Sequence, residues 1–550
     1  MTPPEYRDAF AIRQALLTGS ELALVDVRPE AEYARQHPLF AVNIPLGRLE
    51  LDAWRRIPRH DTAITLYDDG EGLAERARQR LISLGYRNVA LLRDGLAGWH
   101  ASGGELFRDV NVPSKAFGEL VEQQLDTPSL TPQQVRALQT SGEPLVIVDA
   151  RRPDEYHTMS IPGATSVPGA ELVRRIAALA PDPRTRIVVN CAGRTRSIIG
   201  TQSLINIGLP NPVTALRNGT IGWTLAGYEL EHGQSRSYPQ VPPAPHLKAR
   251  AWEQALRAGV QAINSATLAR WQGDTTRTTY LFDVRSESEY LAGHFPGSLH
   301  VPGGQLVQET DHHASVRGAR IVLTDDDGIR APMTASWLAQ MGWEVALLPL
   351  ADSRAFSQSG PTPPEHPPLP QVEEIDANAL QARLIRRQAI VLDFSASASY
   401  VARHIPGAFW LQREQLAQVL TQLPEAQSIV VTCGTSLLAR FAAPEVAALT
   451  GRPVAVLRGG TAAWIEAGLP LEQGETRLLS PRNDRYQRPY EGTDNPSEAM
   501  NGYLEWEYGL VAQLARDGTH GFRTIAPLSI PGNGLIPPVE ATDAHTLRRL

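Results

Sequence analysis

Cysteine is scarce in this sequence, since 550 residues contain only Cys191 and Cys433. Two thiols cannot build the disulfide framework of a small secreted domain, and they are too few for a cysteine-based zinc site. In a cytosolic chain, thiols this isolated are either inert core residues or nucleophiles. We therefore expect no metal at the cysteines and treat both of them as candidates for chemistry.

The sequence also lacks an excess of positive charge and long hydrophobic runs. Lys+Arg total 52 against 59 for Asp+Glu, a net charge of -7, whereas binding to nucleic acids or anionic membranes needs a positive field. The basic residues are nearly all Arg, because Lys occurs only at Lys115 and Lys248. No window approaches the roughly 20 apolar residues of a membrane span, and no secretory signal is visible. We expect a cytoplasmic protein without nucleic-acid or membrane partners.

What the sequence does contain is a repeat. With 550 residues, 42% of them hydrophobic, the chain is long enough for three or four domains of roughly 150 residues each. An apolar, strand-like run that ends in Asp and leads into a helix start occurs four times, and a Tyr follows each Asp. The four runs are residues 24–28, 146–151, 280–285 and 390–395, and the tyrosines are Tyr33, Tyr156, Tyr290 and Tyr400.

Each copy continues with the same series of elements. A second apolar run leads into a polar loop and a helical pattern, and a third short strand precedes a Gly/Trp turn in all copies but the third. Short continuous apolar runs that alternate with helices indicate strands buried on both faces, and hence parallel βαβ units. We predict an α/β protein of four tandem domains, each a small parallel sheet flanked by helices.

Composition marks the domain boundaries. Proline-rich segments at residues 238–246 and 361–370 read as extended linkers, because proline continues neither a helix nor a central strand. Beyond the repeats, Asn495 as cap and Pro496 at the first position predict one amphipathic helix that ends near Gly518 and docks on a neighbouring domain. The predicted domains are 1–110, 125–237, 255–360 and 372–475, followed by a C-terminal extension at 476–550.

The loop after the second strand differs between copies at its first position. When the copies are aligned by the Asp of their first strand, Asp68, Cys191 and Asp325 fall in register. Cys433 occupies the same site in the fourth copy, where the spacing is two residues shorter. Both cysteines of the chain thus fall at a single site of the repeat, which chance does not readily explain.

These features together resemble the rhodanese family of sulfurtransferases. The resemblance rests on Asp-Ala-Arg at 149–151, Ile-Pro-Gly-Ala at 161–164, the Cys that opens a six-residue loop, and Arg-Asn-Gly at 217–219. It covers roughly residues 1–475 and is clearest in the second copy. It implies that Cys191 takes a sulfane sulfur from a donor and passes it to an acceptor. It also implies that active and inactive copies pair, here the first with the second and the third with the fourth.

The loop around Cys191 suits this chemistry on physical grounds. A thiol between a buried strand end and a helix N-terminus faces converging N–H groups and the positive end of the helix dipole, which lowers a cysteine pKa. Arg194 and Arg196 add positive charge suited to an oxyanion donor such as thiosulfate, although either could instead be a solvated surface charge. The candidate substrate-binding residues are Gly193, Arg194, Thr195 and Arg196 of this loop, with Arg151 at the adjacent strand end.

The other three loops are predicted to differ in activity. Cys433 lacks the two downstream arginines, so it is either a second catalytic site or a spare core thiol. Asp68 and Asp325 cannot form and release a persulfide. Each would instead place a resident anion among the loop N–H groups, and we expect the first and third copies to be inactive. Three acids at residues 325–327 lack the spacing of calcium loops, so a solvated turn is expected rather than a metal site.

The histidine before the Pro-Gly element is not a general base of the second copy. It is present as His294 and His404, with His37 in register, but Ser160 stands there in the second copy. We interpret these histidines as core or hydrogen-bonding residues.

The predicted function is transfer of a sulfane sulfur from an anionic donor to a thiophilic acceptor through a Cys191 persulfide. It needs no metal or organic cofactor. The expected partners are a small-molecule donor and acceptor, with a protein acceptor as a further option. The alternative is a non-enzymatic scaffold or thiol-based sensor built from degenerate copies, which the two loops without Cys would suit. Substituting Cys191 by Ser separates the two hypotheses.

Overall fold

The computed structural model describes residues 5–350, 353–492 and 495–528. These residues build one architecture four times, a five-stranded parallel sheet flanked by helices. Counted within each copy, the strand order is 1-5-4-2-3, so the strand that ends in Asp and the strand that precedes the variable loop are neighbours inside the sheet. The predicted fold class is confirmed.

The first two copies have closely matching elements. The first contains β1 (Tyr6–Arg7), α1 (Ala9–Thr18), β2 (Ala23–Asp26), α2 (Glu30–Tyr33), β3 (Ala41–Asn43), α3 (Leu49–Arg56), β4 (Ile64–Tyr67), α4 (Leu73–Ser83), β5 (Val89–Leu92) and α5 (Gly95–Ala101). Helix α6 (Val112–Leu125) leads to the second copy. That copy contains β6 (Ser129–Leu130), α7 (Pro132–Ser141), β7 (Leu145–Asp149), α8 (Pro153–Thr158), β8 (Thr165–Ser166), α9 (Leu172–Leu179), β9 (Arg186–Asn190), α10 (Thr195–Asn206), β10 (Val213–Leu216) and α11 (Gly219–Leu225).

The third copy follows α12 (Pro245–Arg257) and has no counterpart of α5 and α11 among its described residues. It contains β11 (Gln261–Ala262), α13 (Ser265–Gln272), β12 (Thr279–Asp283), α14 (Glu287–Ala292), β13 (Leu299–His300), α15 (Gly303–Gln308), α16 (Thr310–His313), β14 (Arg320–Thr324), α17 (Arg330–Gln340) and β15 (Glu344–Leu347). The fourth contains β16 (Glu373–Ile375), α18 (Ala377–Ile385), β17 (Ala389–Asp393), α19 (Ser397–Ala402), β18 (Phe409–Trp410), α20 (Leu416–Val419), β19 (Ser428–Thr432), α21 (Leu437–Thr450), β20 (Val454–Leu457) and α22 (Gly460–Glu466).

A buried tyrosine and a histidine support the sheet in the repeat. The tyrosine hydroxyl donates to a backbone carbonyl in every copy, at Ala41, Ala164, Ser298 and Ala408. In three copies the histidine stacks on that ring, in the pairs Tyr33–His37, Tyr290–His294 and Tyr400–His404. All three histidines are buried. The interpretation of these histidines as core residues is therefore confirmed.

The chain forms two compact units. The larger comprises Met1–Phe117, Gln261–Asp326 and Leu338–Arg523, and the smaller comprises Gly118–Val260, Asp327–Trp337 and Thr524–Leu550. In the smaller unit, Ile329 and Met333 are part of the core that the second copy builds around β7 and β9. The start of α17 is thus packed on the second copy, with Arg330 donating to Glu171 at 2.8 Å.

In the larger unit the fourth copy packs on the first. The buried Arg413 side chain makes two hydrogen bonds to the Glu50 carboxylate, at 2.8 and 3.0 Å, and two to Glu445, at 2.6 and 3.2 Å. Leu51 packs against the hydrophobic core of the fourth copy. The first and fourth copies therefore share a buried ion pair, a contact that the expected pairing of the third copy with the fourth did not include.

The C-terminal helix docks on the first copy, as expected. Helix α23 (Ser497–Asp517) begins one residue later than predicted, after Pro496, and ends at Gly518 with a left-handed backbone. Gln513 donates to the Leu106 carbonyl at 2.9 Å, and Arg516 pairs with Glu105. None of the helices in the described part of the chain is both long and apolar enough to cross a membrane.

Candidate active site

Cys191 lies between β9 and α10, at the start of a four-residue turn that ends at Arg194. Only 2% of its surface is exposed. The first N–H groups of α11 hold this turn, because Thr220 N donates to the Cys191 carbonyl at 2.9 Å and Ile221 N to the Ala192 carbonyl at 3.0 Å. The thiol is thus positioned through the backbone of its own turn and the start of a second helix.

Gly219, at the start of α11, explains the Arg-Asn-Gly turn of the repeat. Its φ is +55°, and a Cβ there would overlap the Cys191 carbonyl oxygen and approach the Gly193 carbonyl oxygen to 2.8 Å. Gly460 repeats this arrangement in the fourth copy, with φ +64° and the same overlap at the Cys433 carbonyl. Both positions need glycine for backbone conformation and for space. This glycine is therefore part of the site rather than a generic turn residue.

Ser197 is a site residue that the sequence analysis did not identify. The Cys191 Sγ donates to the Ser197 Oγ at 3.3 Å, and that hydroxyl donates to the Arg194 carbonyl at 2.8 Å. When the thiol ionises, the hydroxyl can turn and donate to the thiolate. The signal available in the sequence was a hydroxyl residue in the first helical turn after the loop.

Arg194 is held by acidic residues of α6. Its guanidinium donates to both oxygens of the Glu119 carboxylate, at 2.7 and 2.8 Å, and also bonds to Glu122. It donates to the Asn218 amide oxygen at 3.1 Å. Burial raises the pKa of Glu119, an effect that the Arg194 charge opposes. The charge of Arg194 is therefore compensated within its own surroundings, which the sequence analysis did not foresee.

Arg196 forms a two-point pair with Glu155, at 2.7 and 2.8 Å. Although burial acts to raise it, the pKa of Glu155 falls to about 2 because of the charge and hydrogen bonds of Arg196. Arg151 is buried against Asp149, to which it donates at 2.8 to 3.2 Å. Asp149 also accepts from the amide of Asn190, the residue before Cys191, at 2.8 Å. Arg151 thus reaches the loop through Asp149 and Asn190.

Cys433 stands on the same scaffold as Cys191 but in different surroundings. Thr461 N donates to the Cys433 carbonyl at 2.9 Å, as the equivalent residue does in the second copy. The Cys433 side chain belongs to an apolar cluster that includes Phe394 and Leu438. Burial raises the pKa of the Cys433 thiol above its ordinary value, and Asp393 acts in the same direction, against the lowering effect of backbone N–H groups. The fourth copy therefore favours the protonated thiol.

The first copy has a carboxylate in place of the thiol. Asp68 accepts from Gly70 N at 3.1 Å and from Ala74 N, in the first turn of α4, at 2.9 Å. The predicted resident anion among the loop N–H groups is confirmed for this copy.

In the third copy, Asp327 accepts from Ile329 N at 2.8 Å, and the loop begins with Asp325. Across the described ranges, no group of three His, Cys, Asp or Glu residues is placed to hold a metal ion.

The comparisons with known proteins agree with this architecture. The model of the rhodanese-like domain family matches residues 12–102, 131–226, 265–349 and 376–467. A crystal structure described as a thiosulfate sulfurtransferase from Pseudomonas aeruginosa is 62% identical, covers 95% of this chain and 100% of its own, and superposes with a TM-score of 0.93. The family match covers more than half of the sequence, and the chain belongs to the rhodanese family.

Shorter relatives match parts of the chain. A thiosulfate sulfurtransferase of Azotobacter vinelandii is 28% identical over 205 residues, which are 34% of this chain and 74% of that protein. The thiosulfate sulfurtransferase GlpE of Vibrio cholerae is 30% identical over 98 residues, 18% of this chain and 92% of the relative. The Vibrio cholerae relative thus has about the length of one domain, and the Azotobacter vinelandii relative about that of two. Both are similar to parts of this four-domain enzyme.

Proposed function

We propose that this protein is a sulfurtransferase that moves a sulfane sulfur from an anionic donor such as thiosulfate to a thiophilic acceptor through a persulfide on Cys191. The observation that carries the proposal is the placement of this thiol at the end of a parallel strand and the start of α10, with its turn anchored by α11. The names of the similar proteins support thiosulfate as the donor.

Two displacements make up the reaction. The Cys191 thiolate attacks the outer sulfur of thiosulfate, a new S–S bond forms, and the S–S bond to the sulfonate group breaks so that sulfite leaves with the electron pair. A thiolate or another thiophilic acceptor then attacks the outer sulfur of the persulfide and releases the Cys191 thiolate. The enzyme returns to its starting state without a net change in its own oxidation state.

The residues of the turn have distinct proposed roles. The backbone N–H groups from Gly193 to Thr195, together with the dipole of α10, would stabilise the anionic donor and the terminal sulfur of the persulfide. Arg194 and Arg196 supply the positive charge of the loop, reduced by the carboxylates that pair with them. Arg151 acts as a positioning residue through Asp149.

Mass spectrometry after treatment with thiosulfate tests the proposal. Full-length protein is incubated with thiosulfate, freed of excess donor and digested, and each cysteine peptide is examined for a gain of one sulfur atom. We expect the sulfur on Cys191, and complete loss of transfer to an acceptor in Cys191→Ser.

Cys433→Ser is the matched control, since its thiol occupies the same place in the repeat. Because burial raises the pKa of Cys433, we expect this variant to keep most of the transfer activity. Sulfur on neither cysteine with thiosulfate or with a persulfide donor would leave the scaffold hypothesis as the better one.

A further inference from the structure

A cavity of about 470 Å³ lies within the larger unit, and of the residues described above its lining includes Phe394 and Leu438 of the Cys433 cluster but none from the Cys191 turn. Its lining includes Glu30 after β2 and Asn43 at the end of β3, together with Phe394 after β17 and Trp410 at the end of β18. The cavity therefore lies at the carboxyl ends of strands of the first and fourth copies. Ligands of parallel α/β sheets bind at such ends, and the volume is in the range of small-molecule sites.

Arg56 is the central charged residue of this cavity. It is 2% exposed, and its guanidinium donates to Ser315 Oγ at 2.9 Å, to the Asn43 carbonyl at 2.7 Å and to the Asp311 carbonyl at 3.4 Å. All three acceptors are neutral, and within the described ranges no carboxylate forms an ion pair with Arg56. Burial lowers the pKa of Arg56, whereas the charges of Asp52 and Asp311 act to raise it. A buried positive charge without a direct ion-pair contact is costly to a protein unless a ligand makes that contact.

Further positive groups line the same end of the cavity. Arg55, next to Arg56 on α3, is exposed, and among the described residues it has no ion-pair partner. Arg48 pairs with Asp52 at 3.0 Å. The charge of Arg56, with burial and the charges of Arg55 and Arg48, lowers the pKa of His312 to about 2, so this imidazole is neutral. The end of the cavity around α3 therefore has a positive potential.

Acidic groups in the lining offset this charge in part. They are Glu30, Asp52, Glu309, Asp311, Glu414 and Asp484. Asp52 is already paired with Arg48, and Glu30 lies 3.7 Å from Arg488. Burial raises the pKa of Asp311 to about 6, which still leaves this carboxyl mostly charged at neutral pH, and burial also raises the pKa of Glu414.

The fourth copy gives the cavity an apolar side. Phe394, Trp410, Leu411 and Leu438 all contribute to its lining. A small inorganic ion would leave this side in contact with water. An anion with an apolar or planar body would use both the charge of α3 and the apolar wall.

We propose that this cavity binds a small organic anion that carries two or more phosphate or carboxylate groups on an apolar or planar body. Its anionic groups would bind Arg55 and Arg56, and its body would pack against Phe394 and Trp410. The site is independent of the proposed sulfur transfer.

Isothermal titration calorimetry on the full-length protein tests this site. The probes are ADP, which carries phosphates on a planar body, and benzene-1,2,4-tricarboxylate, which carries carboxylates. Binding of one or both supports the site and identifies the preferred anionic group, and inorganic pyrophosphate is expected to bind more weakly because it has no body. Absence of binding by both organic probes overturns the proposal.

Variants locate the binding. Arg55→Ala changes an exposed residue and should weaken binding about tenfold or more, because it removes a charge-assisted contact. Arg87→Ala, an arginine of the same copy whose side chain is 71% exposed and pairs with Asp61, should leave affinity unchanged.

Cys191→Ser should also bind normally, which separates this site from the catalytic loop. Affinity in Arg55→Ala equal to that of the unmodified protein would show that the probes bind elsewhere, and would reject the site.

Discussion

At the scale of single residues, Ser197 is the side chain through which the structure adds most to the proposed mechanism. Its hydroxyl lies between the Cys191 sulfur and the Arg194 carbonyl. Hydrogen bonds to charged groups are stronger than those to neutral ones, so this contact gains strength when the thiol ionises. Ser197→Ala should therefore lower both the alkylation rate of Cys191 by iodoacetamide at neutral pH and the rate of sulfur transfer, by roughly tenfold to a hundredfold.

The alkylation experiment is done in a Cys433→Ser background so that one thiol is followed. Ser141→Ala is the control, because Ser141 is exposed at the end of α7 and its hydroxyl has only local contacts, to the Leu138 carbonyl and the Glu143 N–H. Unchanged alkylation and transfer in Ser197→Ala would mean that the backbone N–H groups stabilise the thiolate without help from this hydroxyl.

The pair of Glu155 and Arg196 has a pH dependence whose sign is fixed by the direction of the pKa shift. In the folded state the pKa of Glu155 is about 2, below the ordinary value of 4.5 for a glutamate. The contribution of the Glu155–Arg196 pair to stability is present in full above the pKa of Glu155 in the unfolded chain. It is lost as the pH falls from about 4.5 towards 2. The difference in free energy of unfolding between the unmodified protein and Glu155→Gln, at most about 3 kcal/mol, should be constant from pH 8 to 6.

Urea denaturation at several pH values measures this difference. It should shrink as the pH is lowered below about 4.5, since both proteins then carry a neutral side chain at this position. The exposed neighbour Asp154, changed to Asn, is the control and should show a smaller difference throughout. A difference that grows on acidification would contradict the assigned pair.

At the scale of elements, α11 determines the position of the Cys191 turn, and Gly219 allows its close approach. Gly219→Ala adds both backbone strain and an overlap with the Cys191 carbonyl. Gly227 offers a matched control, because its φ is +78° but a Cβ there would meet nothing within 4 Å. Gly227→Ala should cost about 1 kcal/mol through strain alone and keep its activity. Gly219→Ala should cost more and lose most of the sulfur transfer, as followed by urea denaturation and a transfer assay.

The sequence predicted elements and register better than it predicted side-chain partners. The register of Cys191 with Asp68 could be found because both lie 42 residues after an Asp that ends a buried strand, as the printed sequence shows. The partners of Arg194 could not be found in this way. Glu119 and Glu122 lie on α6, which precedes the second copy, and nothing in a repeat pattern indicates which face of a linking helix meets a loop more than 70 residues later.

At the scale of the whole molecule, copies that are distant in sequence pack together. Tandem order suggested neighbours along the chain, but the decisive contacts are side-chain pairs such as Glu50 with Arg413, and each of these residues taken alone is an ordinary charged residue of a helical segment. Burial of both is visible only in the folded structure. The degenerate first copy therefore has a structural role that its lack of a cysteine did not reveal.

The pair of Glu50 and Arg413 gives this role a test. Glu50→Gln removes one partner of a buried charge, which typically costs about 3–5 kcal/mol, but Glu445 still pairs with Arg413, so we expect a loss of roughly 1–3 kcal/mol. Urea unfolding of the full chain should begin at a lower concentration. Sulfur transfer by Cys191 without denaturant should be unchanged, because Glu50 and Cys191 belong to different compact units. Glu466→Gln, an exposed acid of the fourth copy, should match the unmodified protein in both measurements. A Glu50→Gln variant as stable as that control would show that apolar contacts such as Leu51, rather than the ion pair, hold the first and fourth copies together.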